Sequence, residues 1–181
     1  VESGPAAGAT AGAFYGNLIG HSHVISFDMG GTTAKICFVT DGLPSRTSEL
    51  EVAREDRFKK GSGLMLKIPS IEMVEIGAGG GSIANIDKLG LMKVGPRSAA
   101  SEPGPACYGL GGTEPTVTDA DLVLGHLAPK HFLGGEMSLN LQAAEKVIDD
   151  KLARPLNMDM IRAAEGIHDV VNENMASVAR I

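Results

Sequence analysis

Two short apolar runs, Val24 to Phe27 and Lys35 to Val39, are separated by Asp28-Met29-Gly30-Gly31-Thr32-Thr33-Ala34. No other stretch constrains the fold as much: it reads as a strand, a glycine turn and a returning strand. Thr40-Asp41-Gly42 is a second turn signal, and a third strand is expected within Thr47 to Ala53. Glycines at such a turn let backbone N–H groups approach an anion, and neighbouring hydroxyls add donors. Gly30 and Gly31 supply the amides and Thr32 and Thr33 the hydroxyls, while Lys35 brings a charge that neutralises a phosphate. Asp28 is placed to hold Mg²⁺, through water because that ion dehydrates reluctantly. The same residues also satisfy a plain glycine hairpin whose Asp28 caps the turn, and the pattern by itself leaves both readings open.

The opening predicts a helix up to Ile19, with Ser3 as N-cap and Pro5 in its first turn. Gly4, Gly8, Gly12, Gly16 and Gly20 recur every four residues along one face of it. Each interior glycine costs about 1 kcal/mol relative to Ala, so close packing of another element on that face is expected. Arg54 to Gly63 is charged and reads as a surface loop; Leu64 to Ile68 and Ile71 to Ile76 are strand candidates split by Pro69. Gly77-Ala78-Gly79-Gly80-Gly81-Ser82 leads into Ile83 to Ile86. As G-x-G-x-x-G it fails at Ser82, so a dinucleotide fingerprint is not supported. Four prolines and five glycines within Gly95 to Thr116 predict a largely irregular but ordered segment.

The last third carries two amphipathic stripes: Leu141, Ala144, Val147, Ile148 and Leu152, ending near Pro155, then Ile161, Ala164, Ile167, Val171, Met175 and Val178 behind an Asp159 N-cap. Strands early and helices late indicate an α/β (α+β) class, a mixed β-sheet with helices packed on it.

Thr118, Asp119 and Asp121 open a short helix ending near Gly125, where acidic residues serve capping and the helix dipole. Cys107 lacks a nominated base and reads as a small buried hydrophobe. His21 and His23 read as surface loop residues, and His126, His131 and His168 stand isolated in sequence, the last on a helix flank. A net charge of -6 gives no electrostatic reason to expect nucleic acid or an anionic membrane. No run is long enough to cross a bilayer, and two separated cysteines suit a cytoplasmic protein. P-loop, H-E-x-x-H and G-x-S-x-G motifs are absent. A start at Val1 without Met, and a last stripe running into Ile181, lead us to expect a piece of a longer chain, residues 1–181 forming a single domain of it.

Asp28-Met29-Gly30-Gly31-Thr32 between two strands resembles the phosphate loops of the actin, Hsp70 and sugar kinase superfamily. Further stretches resemble the hydantoinase A, 5-oxoprolinase and acetone carboxylase family. They are Ser3 to Gly8, Phe27 to Lys35, Ile76 to Ala84, Val94 to Ala99, Pro103 to Gly109, Thr116 to Ala120 and Phe132 to Gly135, in the family's order. Lys35 stands where 5-oxoprolinase-like members carry Asp, which removes a metal role from that position and points to the hydantoinase branch.

The resemblance implies one lobe of an actin-like ATPase fold, facing an N-terminal lobe of the same chain across an ATP cleft. Asp28, Gly30, Gly31, Thr32, Thr33 and Lys35 are then the phosphate loop, with Mg²⁺ on Asp28. Gly79, Gly80, Gly81 and Ser82 form a second loop facing nucleotide or substrate. The implied activity is that of an ATP-dependent cyclic amidase subunit, which activates a carbonyl by phosphorylation before ring opening, with a hydantoinase B-type subunit as partner. Alternatives are an ATP-dependent ketone carboxylase subunit and a non-catalytic actin-like interaction module. Residues 1–181 alone are expected to be inactive, because half of the cleft lies elsewhere, and no residue is assigned the bond-breaking step.

Overall fold

Helix α1 (Ser3–Leu18) forms from the Ala-rich opening and ends where Gly20 takes a left-handed φ of 81°. It belongs to a computed structural model that describes residues 3–52 and 61–180. The described helix already includes Ser3, one position earlier than an N-cap there would allow. The loop expected over Arg54 to Gly63 lies outside the described residues except for its last three positions. Two compact units emerge, one of residues 1–29 and 34–76, the other of residues 30–33 and 77–181.

In the first unit, β1 (Val24–Met29) pairs antiparallel with β2 (Ala34–Thr40), from Val24↔Val39 to Met29↔Ala34. Asp41 (φ 53°) and Gly42 (φ 75°) form the two-residue turn into β3 (Leu43–Pro44), as the Asp-Gly pair predicts. The other edge of the central strand β2 carries β3 at one end and, at the other, β8 (Val74–Ile76). Short ribbons complete the unit. The strand β4 (Arg46–Thr47) pairs with β7 (Ser70–Ile71), and β5 (Leu50–Val52) with β6 (Leu64–Leu66).

Helix α1 packs on the β1–β2 face, and two of its glycines explain how closely. A Cβ at Gly16 would stand 2.6 Å from Val24 Cγ2, and one at Gly12 would stand 3.2 Å from Ser26 Cβ. Gly4 and Gly8 have nothing within 4 Å. The regular glycine spacing therefore divides into a close-packed half, a stop at Gly20 and an open half.

In the second unit, β9 (Ser82–Ile86) and β10 (Met92–Ser98) form an antiparallel pair whose register shifts between Val94 and Ser98. Strand β10 runs four residues into the segment expected to be irregular, and the shifted register accommodates Gly95 and Pro96 within it. After a 3₁₀ turn at Ala106–Tyr108 comes α2 (Val117–Val123), capped by Thr116. The first C-terminal stripe is α3 (Leu141–Ile148), extended by a π turn over Asp149–Ala153 that stops before Pro155. The second is α4 (Met160–Ala179), with Asp159 Oδ1 accepting from Ile161 N–H at 2.9 Å as its cap. Ala144, Ile148 and Leu152 are buried with Ala163, Ala164, Ile167 and Val171, whereas Leu141 and Ile161, the first residue of each stripe, are exposed. Every strand pair among the described residues is antiparallel, so the class is α/β with small antiparallel sheets and helices.

Candidate functional site

The four residues that join β1 to β2, Gly30–Thr33, belong to the second unit, where they lie on the Gly77–Ser82 loop. Gly30 N–H donates to Thr33 O at 2.9 Å and closes the turn. Its carbonyl accepts from Gly80 N–H at 3.0 Å, and the Gly31 carbonyl accepts from Gly81 N–H at 2.6 Å. The second loop is itself held from behind. Gly79 N–H donates to the buried Ser82 hydroxyl at 2.9 Å, and Ser82 N–H returns a bond to Gly79 O. Thr118 donates to Gly80 O through both its N–H and its Oγ1, each at 2.8 Å, and Ala99 N–H bonds Gly81 O.

The bonding has a clear polarity. Carbonyls of Gly30 and Gly31 face the second loop, while the N–H groups of Gly31, Thr32 and Thr33 and both threonine hydroxyls make no hydrogen bond among the described residues. Three consecutive amides and two hydroxyls form a ready anion-binding set, since exposed donors without a protein partner favour oxyanions. By contrast the N–H groups of Gly79, Gly80 and Gly81 all donate within the protein, so these three glycines orient the first loop.

Steric demands separate the glycines in the same way. A Cβ on Gly79 would lie 2.7 Å from Gly30 O and 2.8 Å from Gly31 C and Thr32 C. A Cβ on Gly31 would meet nothing within 4 Å, and one on Gly30 only Thr33 O at 3.5 Å. Among the described residues no atom requires a glycine at 31. What a bare backbone permits there is the approach of something outside the chain.

In the first unit, Asp28, Lys35 and Glu75 occupy one cross-strand row, through the register Asp28↔Lys35 and Lys35↔Glu75. Lys35 Nζ lies 3.8 Å from Glu75 Oε1, and its side chain is only 13% exposed. Lys35 also lines a cleft of about 330 Å³ with Thr47, Glu49, Leu50 and Glu72. Side chains at 24, 26 and 28 share one face of β1. The close contacts pair Gly16 with Val24 and Gly12 with Ser26, so the same stride brings the open Gly8 level with Asp28. Asp28 is half-buried and makes no side-chain hydrogen bond or ion pair among the described residues, which fits a hydrated cation.

Asp119 plays the capping part expected of it, and more. Its buried carboxylate accepts from Thr116 N–H (3.0 Å) and Thr116 Oγ1 (2.8 Å), from Cys107 N–H (2.8 Å) and from Ala106 N–H (3.3 Å). It therefore ties the proline-rich segment to α2. Cys107 is fully buried among Leu122, Leu139 and Ala144. Burial first, and the nearby Asp119 second, push its thiol far above the ordinary range, so it carries no thiolate. His21 and His23 are exposed. The histidines that stand isolated in sequence do not all remain so: His126 and His168 meet beside Asp121, their ring centroids 5.1 Å apart. The positions lie five and forty-seven residues downstream of Asp121, and only the packing of α2 on α4 unites them.

The family model for hydantoinase/oxoprolinase matches residues 1–181. The chain is 43% identical over 180 residues to the acetophenone carboxylase gamma subunit of Aromatoleum aromaticum, covering 99% of this chain and 24% of that one. It superposes on the crystal structure of the ATP-dependent caprolactamase from Pseudomonas jessenii with a TM-score of 0.79 at 44% identity, over 98% of this chain and 24% of that one. On the nucleotide-free structure of acetone carboxylase, from work on ATP-dependent acetone carboxylation, the TM-score is 0.81 at 28% identity, again over 98% and 24%. The chain thus spans about a quarter of the length of the relatives it matches. On its sequence and its fold alike, the chain belongs to the hydantoinase/oxoprolinase family.

Proposed function

We propose that this chain is the phosphate-loop part of an ATP-dependent cyclic amidase subunit. The observation that carries the reading is the run of donors at Gly31, Thr32 and Thr33, which make no hydrogen bond among the described residues while the second loop holds the Gly30 and Gly31 carbonyls. ATP would transfer its γ-phosphoryl group to the ring's carbonyl oxygen and leave as ADP; water then adds to the activated carbon, phosphate is released from the carbonyl oxygen, and the C–N bond breaks with its nitrogen taking a proton. The chain's own residues bind and neutralise. Amides of Gly31, Thr32 and Thr33, with the threonine hydroxyls, receive phosphate oxygens in a fixed geometry. Asp28 holds a hydrated Mg²⁺, and Lys35 adds positive charge at the base of the hairpin. Gly79, Gly80, Gly81 and Ser82 serve the nucleotide site by fixing Gly30 and Gly31 from behind. The remaining groups come from an N-terminal lobe of the same chain and a B-type partner subunit. Some matched relatives are themselves named as subunits, such as the acetophenone carboxylase gamma subunit and caprolactamase subunit alpha. Both cysteines are buried and unpaired, in keeping with a cytoplasmic setting.

The similarity to acetophenone and acetone carboxylases favours a second reading, a ketone carboxylase subunit. Bicarbonate separates the two. The full chain with its partner subunit is expected to hydrolyse ATP when a lactam, hydantoin or 5-oxoproline is added, without bicarbonate. A strict requirement for ketone and bicarbonate instead overturns the amidase reading in favour of the carboxylase.

A further inference from the structure

Three side chains outside the phosphate-loop chemistry converge where the end of α2 packs on α4. Asp121 sits in α2, and Gly125, left-handed at φ 79°, turns the chain back beyond it. His126 N–H then donates to Asp121 O at 2.8 Å, which returns His126 onto the helix it has just left. Its Nδ1 lies 3.4 Å from Asp121 Oδ1. His168 approaches from α4, and one ligand atom from each of the three residues falls within 4.8 Å of the others. Asn172, one turn further along α4, holds the His168 ring edge with its amide 3.1 Å from Nδ1 and 3.3 Å from Nε2.

We propose that Asp121, His126 and His168 bind one borderline divalent cation of the Zn²⁺ class, clipping α2 to α4 and leaving a coordination position open to water or an exchangeable ligand. Ligands about 2.1 Å from a tetrahedral cation stand about 3.4 Å apart, and Asp121 Oδ1 and His126 Nδ1 already have that separation. The two edges to His168, each within 4.8 Å, have to close, and the His126 side chain is 52% exposed and free to adjust. Two imidazoles with one carboxylate select Zn²⁺-like ions over Mg²⁺ and Ca²⁺, which take oxygen ligands. Without a cation, an exposed His–Asp pair contributes little to stability, and the meeting of a second imidazole there has no electrostatic purpose.

The test uses the full natural chain, stripped of metal and free of nucleotide, titrated with Co²⁺ and then Zn²⁺. The expected result is one Co²⁺ equivalent with the visible d–d bands of a low-coordinate nitrogen and oxygen site, abolished when Zn²⁺ displaces it. Removing one ligand should weaken binding by about tenfold or more. His126→Ala removes an exposed side chain and leaves the core untouched, so loss of that equivalent in a folded variant supports the site, as does the same loss in Asp121→Asn. Bands and affinity unchanged in His126→Ala, or no band in the parent protein, overturn it.

Discussion

Gly31 and Gly79 lie in facing loops, and a single methyl group distinguishes what each one does. At Gly79 the added carbon would collide with backbone of Gly30, Gly31 and Thr32. Gly79→Ala is therefore expected to lose about 1–3 kcal/mol of stability in chemical denaturation, as overpacked positions do. At Gly31 the added carbon meets open space. Gly31→Ala is expected to keep its unfolding midpoint within about 0.5 kcal/mol while lowering kcat/KM for ATP by about tenfold or more. A stable Gly31→Ala enzyme with parental ATP kinetics would show that the loop does not face phosphate. Cys107 makes the opposite point about reactivity. Burial holds its thiol protonated far above the usual range. Because the folded state keeps the proton that the unfolded chain releases above its ordinary pKa near 9, the stability from this residue is present below that pH and lost above it. Alkylation of Cys107 in the native chain, followed by peptide mass spectrometry, should stay negligible and flat from about pH 7 to about pH 9; rising labelling over that range would contradict the burial.

At the scale of elements, α2 depends on Asp119 more than a capping box requires. Asp119→Ala leaves the N–H groups of Ala106, Cys107 and Thr116 without their acceptor, a loss on the order of 3 kcal/mol or more in thermal or denaturant unfolding. A cost below about 1 kcal/mol would mean that water replaces the carboxylate. Helix α4 offers a change in the other direction. A Cβ on Gly166 would touch only Met92 Sδ and Cε, at 3.3 Å, and a thioether yields easily. Gly166→Ala should stabilise the chain by about 0.5–1 kcal/mol. Much at this scale is readable from residues alone, because it is local. Apolar spacing places α3 and α4, Asp-Gly places the β2–β3 turn, and Asp28 to Lys35 places a hairpin. What is not local is silent in the sequence. Evenly spaced glycines in α1 do not reveal that Gly12 and Gly16 are pressed on β1 while Gly4 and Gly8 are open. The bonds from Ala106 and Cys107 to Asp119 span twelve or thirteen residues, and no periodic signal announces them. His126 and His168 lie on different elements, so only helix packing brings their rings together.

For the whole molecule, the proposed function gives this chain one set of phosphate donors and a backing loop, and about three quarters of the length of the acetophenone carboxylase gamma subunit and the caprolactamase lies outside it. Motif order carried the family in advance, since it rests on contiguous residues. The bonding of the Gly30–Thr33 loop, with the Gly30 and Gly31 carbonyls held and the N–H groups of Gly31, Thr32 and Thr33 unbonded among the described residues, came only from the folded backbone. The measurement that bears most directly on the account is ATP hydrolysis by the full chain with its partner subunit, with and without a cyclic amide. The account predicts turnover that starts when the lactam, hydantoin or 5-oxoproline is added and falls about tenfold or more in Gly31→Ala. ATP hydrolysis indifferent to every cyclic amide, or unchanged in Gly31→Ala, would contradict it.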